Sequence, residues 1–239
     1  MSLLQVEDLE AGYGLLKAVR GISFSVEEGE RIALVGANGA GKTTLLRCLA
    51  GAHQPSAGRV SFDGADVTSA PAYKRVASGV AMVPEGRRLF QALTVRENLQ
   101  VAAENGRPGP WDVARVTEAF PMLEPLLDRR ASTLSGGQQQ AAAIARSLMT
   151  NPRLLLLDEV SLGLSPVAVQ SVYDSLEGLD RSRATLILVE QDLTRALAFA
   201  DRVLCMLEGR VVLEGAANSL TREQVTQAYF GLRQAAGGS

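Results

Sequence analysis

Gly36-Ala37-Asn38-Gly39-Ala40-Gly41-Lys42-Thr43-Thr44 decides the fold of this chain. It spells G-x-x-x-x-G-K-[ST], preceded by the strand-like run at 31–35 and followed by the helix-like run at 44–50. Strand, tight loop and helix are the context that a phosphate-binding loop needs. Its glycines let successive backbone N–H groups close around phosphate oxygens with no Cβ in the way. The following helix adds the positive end of its dipole. Lys42 is expected to reach the β- and γ-phosphates as a cation, and Thr43 to offer its hydroxyl to Mg²⁺. A chance glycine-rich turn has no reason to carry both flanks.

Outward from this loop, β-rich runs alternate with helical spacing. Residues 3–7, 18–26, 31–35, 59–62 and 80–83 read as strands. Glu28-Gly29 and Asp63-Gly64 read as turns, so the first third holds an antiparallel portion. Helical spacing then covers 98–103, 113–120 and 138–149, separated by Pro108, Pro110, Pro121 and Pro125. Four leucines at 154–157 and the apolar run 184–189 suit strands buried on both faces of a parallel sheet. Runs at 203–207 and 210–213 flank Glu208-Gly209, a hairpin turn, and a helix around 221–230 follows. The fold class is α/β: a P-loop NTPase (RecA-like) core with an antiparallel β portion and an inserted helical lobe. The expected division is 1–85 for the first part of the nucleotide-binding core, 86–150 for the helical lobe, and 151–239 for the second part of the core with its C-terminal helix.

Composition narrows the function classes. The chain has 239 residues with 24 Lys+Arg against 26 Asp+Glu, and its net charge of −2 argues against a protein built to grip nucleic acid. At 46% hydrophobic and 21% charged residues it is an ordinary globular chain, long enough to bury a core. One His and two Cys cannot furnish the usual four-ligand structural zinc site. Cys48 and Cys205 read as buried thiols in a reducing cytosol. The longest uncharged stretch, 131–145, is broken by Ser, Thr, Gly and Gln and is shorter than the roughly 20 apolar residues of a spanning helix. Residues 1–10 carry acid early and lack the pattern of a signal peptide. The expectation is a cytoplasmic protein that serves a membrane only through partners.

Asp158-Glu159 follows the four leucines at a strand tip. There Asp158 can hold Mg²⁺ directly or through a water, and Glu159 can act as general base on an attacking water. Some twenty residues earlier, Leu134-Ser135-Gly136-Gly137-Gln138 opens a helix. Alone, these residues read as a helix N-cap. In the order phosphate loop, Ser-Gly-Gly-Gln, Asp-Glu, the chain resembles an ABC-type ATPase subunit. The resemblance implies two ATPase subunits packed head to tail, with Ser135, Gly136, Gly137 and Gln138 completing the partner's ATP site. It also places Tyr13, in Ala-Gly-Tyr-Gly, where an aromatic ring stacks on adenine, and Ser161-Leu162-Gly163-Leu164 in the loop that crosses the dimer interface.

Two departures from the family pattern stand out. Glu85, in Met-Val-Pro-Glu-Gly, replaces the family's glutamine, and Gln191, in Leu-Val-Glu-Gln-Asp, replaces its switch histidine. Gln191 is expected to touch the γ-phosphate or the water through its amide, as glutamines do in other phosphate-loop enzymes. Glu85 is expected to approach the phosphates with Mg²⁺ between them. The chain's one histidine, His53, lies just after the phosphate-loop helix and reads as a solvated loop residue.

Pro-Glu-Gly-Arg-Arg-Leu-Phe (84–90), Thr-Val-Arg-Glu-Asn-Leu (94–99), Ser-Leu-Gly-Leu-Ser-Pro (161–166) and Leu-Val-Glu-Gln (188–191) together resemble LivF-type ATPase subunits of branched-chain amino acid importers. That resemblance implies ATP and Mg²⁺ as ligands, a related ATPase as partner, two membrane permeases and an external binding protein. It also implies a place on the cytoplasmic face of the membrane. An ATPase of a urea or short-amide importer and a non-transport soluble ABC protein are the alternatives. The segment 85–105 is the candidate for passing nucleotide state to the permease.

Overall fold

A computed structural model describes residues 2–180 and 184–231. In chain order the elements are β1 (Leu4–Tyr13), β2 (Leu16–Val26), β3 (Arg31–Val35), α1 (Lys42–Leu49), β4 (Ala57–Phe62), β5 (Ala65–Asp66), α2 (Ala72–Ser78), β6 (Val80–Val83), α3 (Val95–Glu104) and α4 (Val113–Ala119). They continue as α5 (Gly136–Leu148), β7 (Leu154–Asp158), α6 (Pro166–Glu177), β8 (Thr185–Val189), α7 (Leu193–Phe199), β9 (Arg202–Leu207), β10 (Arg210–Ala216) and α8 (Arg222–Phe230). The chain forms two compact units, Met1–Ser69 with Ile187–Ser239, and Ala70–Leu186.

The first unit contains an antiparallel sheet in the order β2-β1-β4-β5. Strand β1 runs well past the 3–7 expected from sequence. Its register shifts between Val6 and Leu9, where Asp8 takes φ 45°, and this bulge interrupts the period-2 alternation. Beyond the bulge, Leu9 and Ala11 are again buried, and the pairing ends at Tyr13 opposite Leu16. In the same unit β3 lies between β9 and β8, parallel to β9 with Val35 opposite Cys205. Every residue of β3 is buried, as a central strand requires. Strands β9 and β10 pair antiparallel across Glu208 (φ 48°) and Gly209 (φ 81°), the two left-handed positions of a tight hairpin turn. Ala33, Val35, Val203 and Cys205 form a core with Ala196 of α7 and Val225 of α8.

In the second unit β6 runs parallel to β7, pairing Val80–Val83 with the four leucines, all of them buried. Helix α5 carries Ala141, Ala142, Ala143, Ile144 and Ala145, buried in succession, because it is enclosed by β6, α3 and α6 rather than laid on a surface. Small side chains allow that close approach: a Cβ on Gly137 would stand 2.6 Å from the Cβ of Ala168 on α6. Helices α2, α6 and α7 are additional to the elements read from sequence. Of these, α6 carries a legible start, with Ser165 capping it and Pro166 in its first turn. Among the described residues, no helix is long and apolar enough to cross a membrane.

Candidate functional site

The loop between β3 and α1 takes its shape from its glycines. A Cβ on Gly36 would lie 2.3 Å from the Met206 carbonyl oxygen, and one on Gly41 2.1 Å from that of Ala18. Gly41 also holds φ 101°, so only glycine fits there. Helix α1 starts at once, with no side-chain cap and no acidic residue in its first turn. The positive end of its dipole therefore lies at the loop with no acidic side chain in the first turn to offset it. Lys42 is buried at 4% exposure, its Nζ donating to the carbonyls of Gly36 (2.6 Å) and Ala37 (3.1 Å). This places the cation inside the loop it belongs to. Thr43 is half-buried on the same helical turn, while Asn38 and Gly39 are exposed.

Gln191 sits over this loop. Its Nε2 donates to Oδ1 of Asn38 at 3.2 Å. The residue beside it explains the placement. Glu190 is buried at 2% exposure, and its Oε1 accepts from the backbone N–H groups of Gln191 (2.9 Å) and Asp192 (3.0 Å). Its own N–H donates to Leu34 of β3, and Asp192 in turn caps α7. A buried carboxylate thus fixes the segment carrying Gln191, a role not assigned to Glu190 in the sequence reading. A charged residue directly after the apolar run 186–189 was the available signal.

Tyr13 lies at the end of β1, 47% exposed, one face of its ring against His53 at 4.6 Å between centroids and 37° between planes. His53 Nε2–H donates to the Gly12 carbonyl at 3.0 Å. The expectation of a solvated histidine is therefore corrected. The carbonyl of Arg47 accepts from the N–H groups of Ala52 and His53, curling the chain after α1 back toward β1. No local sequence pattern announces this contact, which spans 41 residues.

In the second unit, Ser135 and Gln138 form a reciprocal capping box on α5: Gln138 N–H donates to Ser135 Oγ and Ser135 N–H to Gln138 Oε1. The capping role weighed for these residues from sequence is what their side chains do here. Glu85 is exposed two residues after β6. It is followed by three successive left-handed residues, Gly86 (φ 79°), Arg87 (φ 65°) and Arg88 (φ 49°). Such positions cost non-glycine residues about 1–3 kcal/mol each. Arg146 of α5 restrains this turn by donating to the carbonyls of Arg88 (2.8 Å) and Arg87 (3.4 Å), with its guanidinium over the Phe90 ring. Arg87 donates to Gln139, and its guanidinium is so close to Gly136 that a Cβ there would stand 3.2 Å from Nη2. The Glu85 segment and the Ser-Gly-Gly-Gln helix are thus tied side chain to backbone. Asp158 is buried at 2% exposure at the tip of β7, and Glu159, half-buried, holds φ 49° just beyond it.

A phosphate loop on a central strand, an uncapped helix start and a buried lysine within the loop define a phosphate-loop nucleotide-binding protein. The model of the ABC transporter family matches residues 19–161, and the chain belongs to that family of ATPases. It is 40% identical over 96% of its length to the high-affinity branched-chain amino acid transport ATP-binding protein BraG of Pseudomonas aeruginosa, covering 100% of that protein. To BraF, a second such protein of the same organism, it is 32% identical, over 96% of this chain and 98% of that one. Among solved structures, a nucleotide-free ATP-binding cassette from an ABC transporter superposes with a TM-score of 0.82 at 28% identity, over 96% of this chain and 99% of that one.

Proposed function

We propose that this ABC ATPase energises an importer of branched-chain or other hydrophobic amino acids, working as a peripheral subunit on the cytoplasmic side of two membrane permeases. The observation that carries the reading is the full-length likeness to BraG, joined to the Leu-Val-Glu-Gln segment that holds Gln191 over the phosphate loop. BraG and BraF are two distinct proteins of one organism named for the same transport, and this supports a related ATPase as the partner subunit.

In this reading Gly36, Ala37, Asn38, Gly39, Ala40, Gly41, Thr43 and Thr44 wrap the phosphates of ATP. Lys42 exchanges its loop carbonyls for β- and γ-phosphate oxygens, and Tyr13 stacks on the adenine. Thr43, Asp158 and Glu85 are the residues assigned to hold Mg²⁺, which would supply positive charge against the nucleotide phosphates. Among the described residues no three His, Cys, Asp or Glu side chains gather as a metal cluster. The assigned donors, one hydroxyl and two carboxylates, are hard oxygen ligands of the kind that Mg²⁺ takes. Glu159 takes the proton of the attacking water, and the amide of Gln191 orients the water without titrating. Ser135, Gly136, Gly137 and Gln138 meet the ATP of the partner subunit, where the dipole of the 13-residue helix α5 assists.

Transport by the assembled complex tests the whole reading, comparing wild type with Glu159→Gln and offering leucine and urea in competition. Leucine uptake by wild type with loss of at least about a hundredfold in ATP hydrolysis in the variant is expected. Uptake of urea but not leucine overturns the substrate class. Unimpaired hydrolysis in Glu159→Gln overturns the general base.

A further inference from the structure

The chain's one histidine has a place in the structure that the phosphate chemistry leaves unused. Tyr13 stands at the last pair of the β1–β2 hairpin, next to a two-residue tip in which Gly14 is left-handed and Leu15 fully exposed. Strand pairing alone leaves such a tip free to lean. His53 holds it at two points, through the ring contact with Tyr13 and through the Nε2–H bond to Gly12. His53 is itself fastened to α1, because its N–H and that of Ala52 donate to the Arg47 carbonyl at 3.1 and 2.9 Å. Arg47 also reaches the Tyr13 hydroxyl, at 3.5 Å. Helix α1 begins at Lys42. One eight-residue rod, about 12 Å long, therefore carries the phosphate loop at its start and the support of Tyr13 at its end.

We propose that His53 is a positioning residue for nucleotide binding: a strut that fixes Tyr13 at a set reach from the phosphate loop. Base and triphosphate of a purine nucleotide are then recognised together, as a single measured span. Nucleotide affinity depends on His53 without His53 touching a phosphate. The inference rests on the assignment of Tyr13 as the adenine platform.

Titration calorimetry on the full chain with Mg–ATP and with Mg–tripolyphosphate, which lacks a base, separates the possibilities. His53→Ala is expected to weaken ATP binding about tenfold, the scale of one base–aromatic stack. Tripolyphosphate binding is expected to be unchanged, and adding His53→Ala to Tyr13→Ala to cause no further loss. Equal weakening of both probes overturns the proposal, since it means general damage to the fold. A loss in Tyr13→Ala with none in His53→Ala overturns the strut and leaves the stacking assignment standing. Undiminished ATP binding in Tyr13→Ala sinks the stacking assignment, and the strut with it. Should His53→Ala fail to fold, His53→Asn is read by the same outcomes.

Discussion

At the scale of the residue, identity is most constrained where backbone geometry and neighbours agree. Gly41 and Gly39 are both left-handed glycines of the phosphate loop, yet a Cβ at Gly41 meets the Ala18 carbonyl at 2.1 Å whereas one at Gly39 meets nothing within 4 Å. Gly41→Ala is expected to destabilise by more than about 2 kcal/mol, because steric overlap adds to the strain, and Gly39→Ala by about 1–2 kcal/mol from strain alone. Urea unfolding of the two variants checks the order. Glu159 presents the opposite case, a non-glycine residue held at φ 49° beside Asp158. Replacement by glycine relieves about 1–3 kcal/mol of strain and adds about 0.5–1 kcal/mol of unfolded-chain freedom, for a net gain on the order of 1 kcal/mol. Glu159→Gly should therefore unfold at higher urea while losing ATPase activity. A variant that loses activity without gaining stability would show that the strain is not stored there.

At the scale of the element, α5 joins packing to function. Its start is the Ser135–Gln138 capping box, its middle an alanine run enclosed on several sides, and its Arg146 restrains the left-handed turn after Glu85. Ser135→Ala removes the cap and should cost about 1 kcal/mol in unfolding free energy. If Ser135 also serves the partner's nucleotide, the same variant should lose ATP-dependent association of the subunits, read by gel filtration in a Glu159→Gln background. Ser135→Asn restores a cap, and it should recover stability without recovering association. The strands divide in the same way. β3 and β7 were legible because both are buried throughout and their runs 32–35 and 154–157 are apolar without a break. β1 was not legible beyond Glu7, since a bulge at Asp8 breaks the alternation on which such reading depends.

At the scale of the whole molecule, the two thiols report on the core. Cys48 and Cys205 are free and buried, and burial pushes the Cys205 thiol up to about 11, with the Lys42 cation pulling slightly the other way. An acid raised in the folded state favours folding below its unfolded value and loses that favour as pH climbs toward the folded one. Stability from Cys205 should thus fall between about pH 9 and 11 in thermal melts, and Cys205→Ala should flatten that limb. With a thiol-reactive dye at pH 8, neither cysteine should react until denaturant is added.

The sequence alone determined the chemistry and its order along the chain: a phosphate loop between strand and helix, a Ser-Gly-Gly-Gln helix start, and an Asp-Glu pair after four leucines. These are local patterns, because glycine torsions, helix capping and strand burial each depend on residues within a few positions. Only the tertiary structure decided that Glu190 anchors Gln191 above Asn38, that Arg146 restrains the turn behind Glu85, and that His53 supports Tyr13. Those contacts join residues 41 to 153 positions apart or hang on the burial of a single carboxylate. No periodicity records such a contact, since it exists only once the strands and helices have packed.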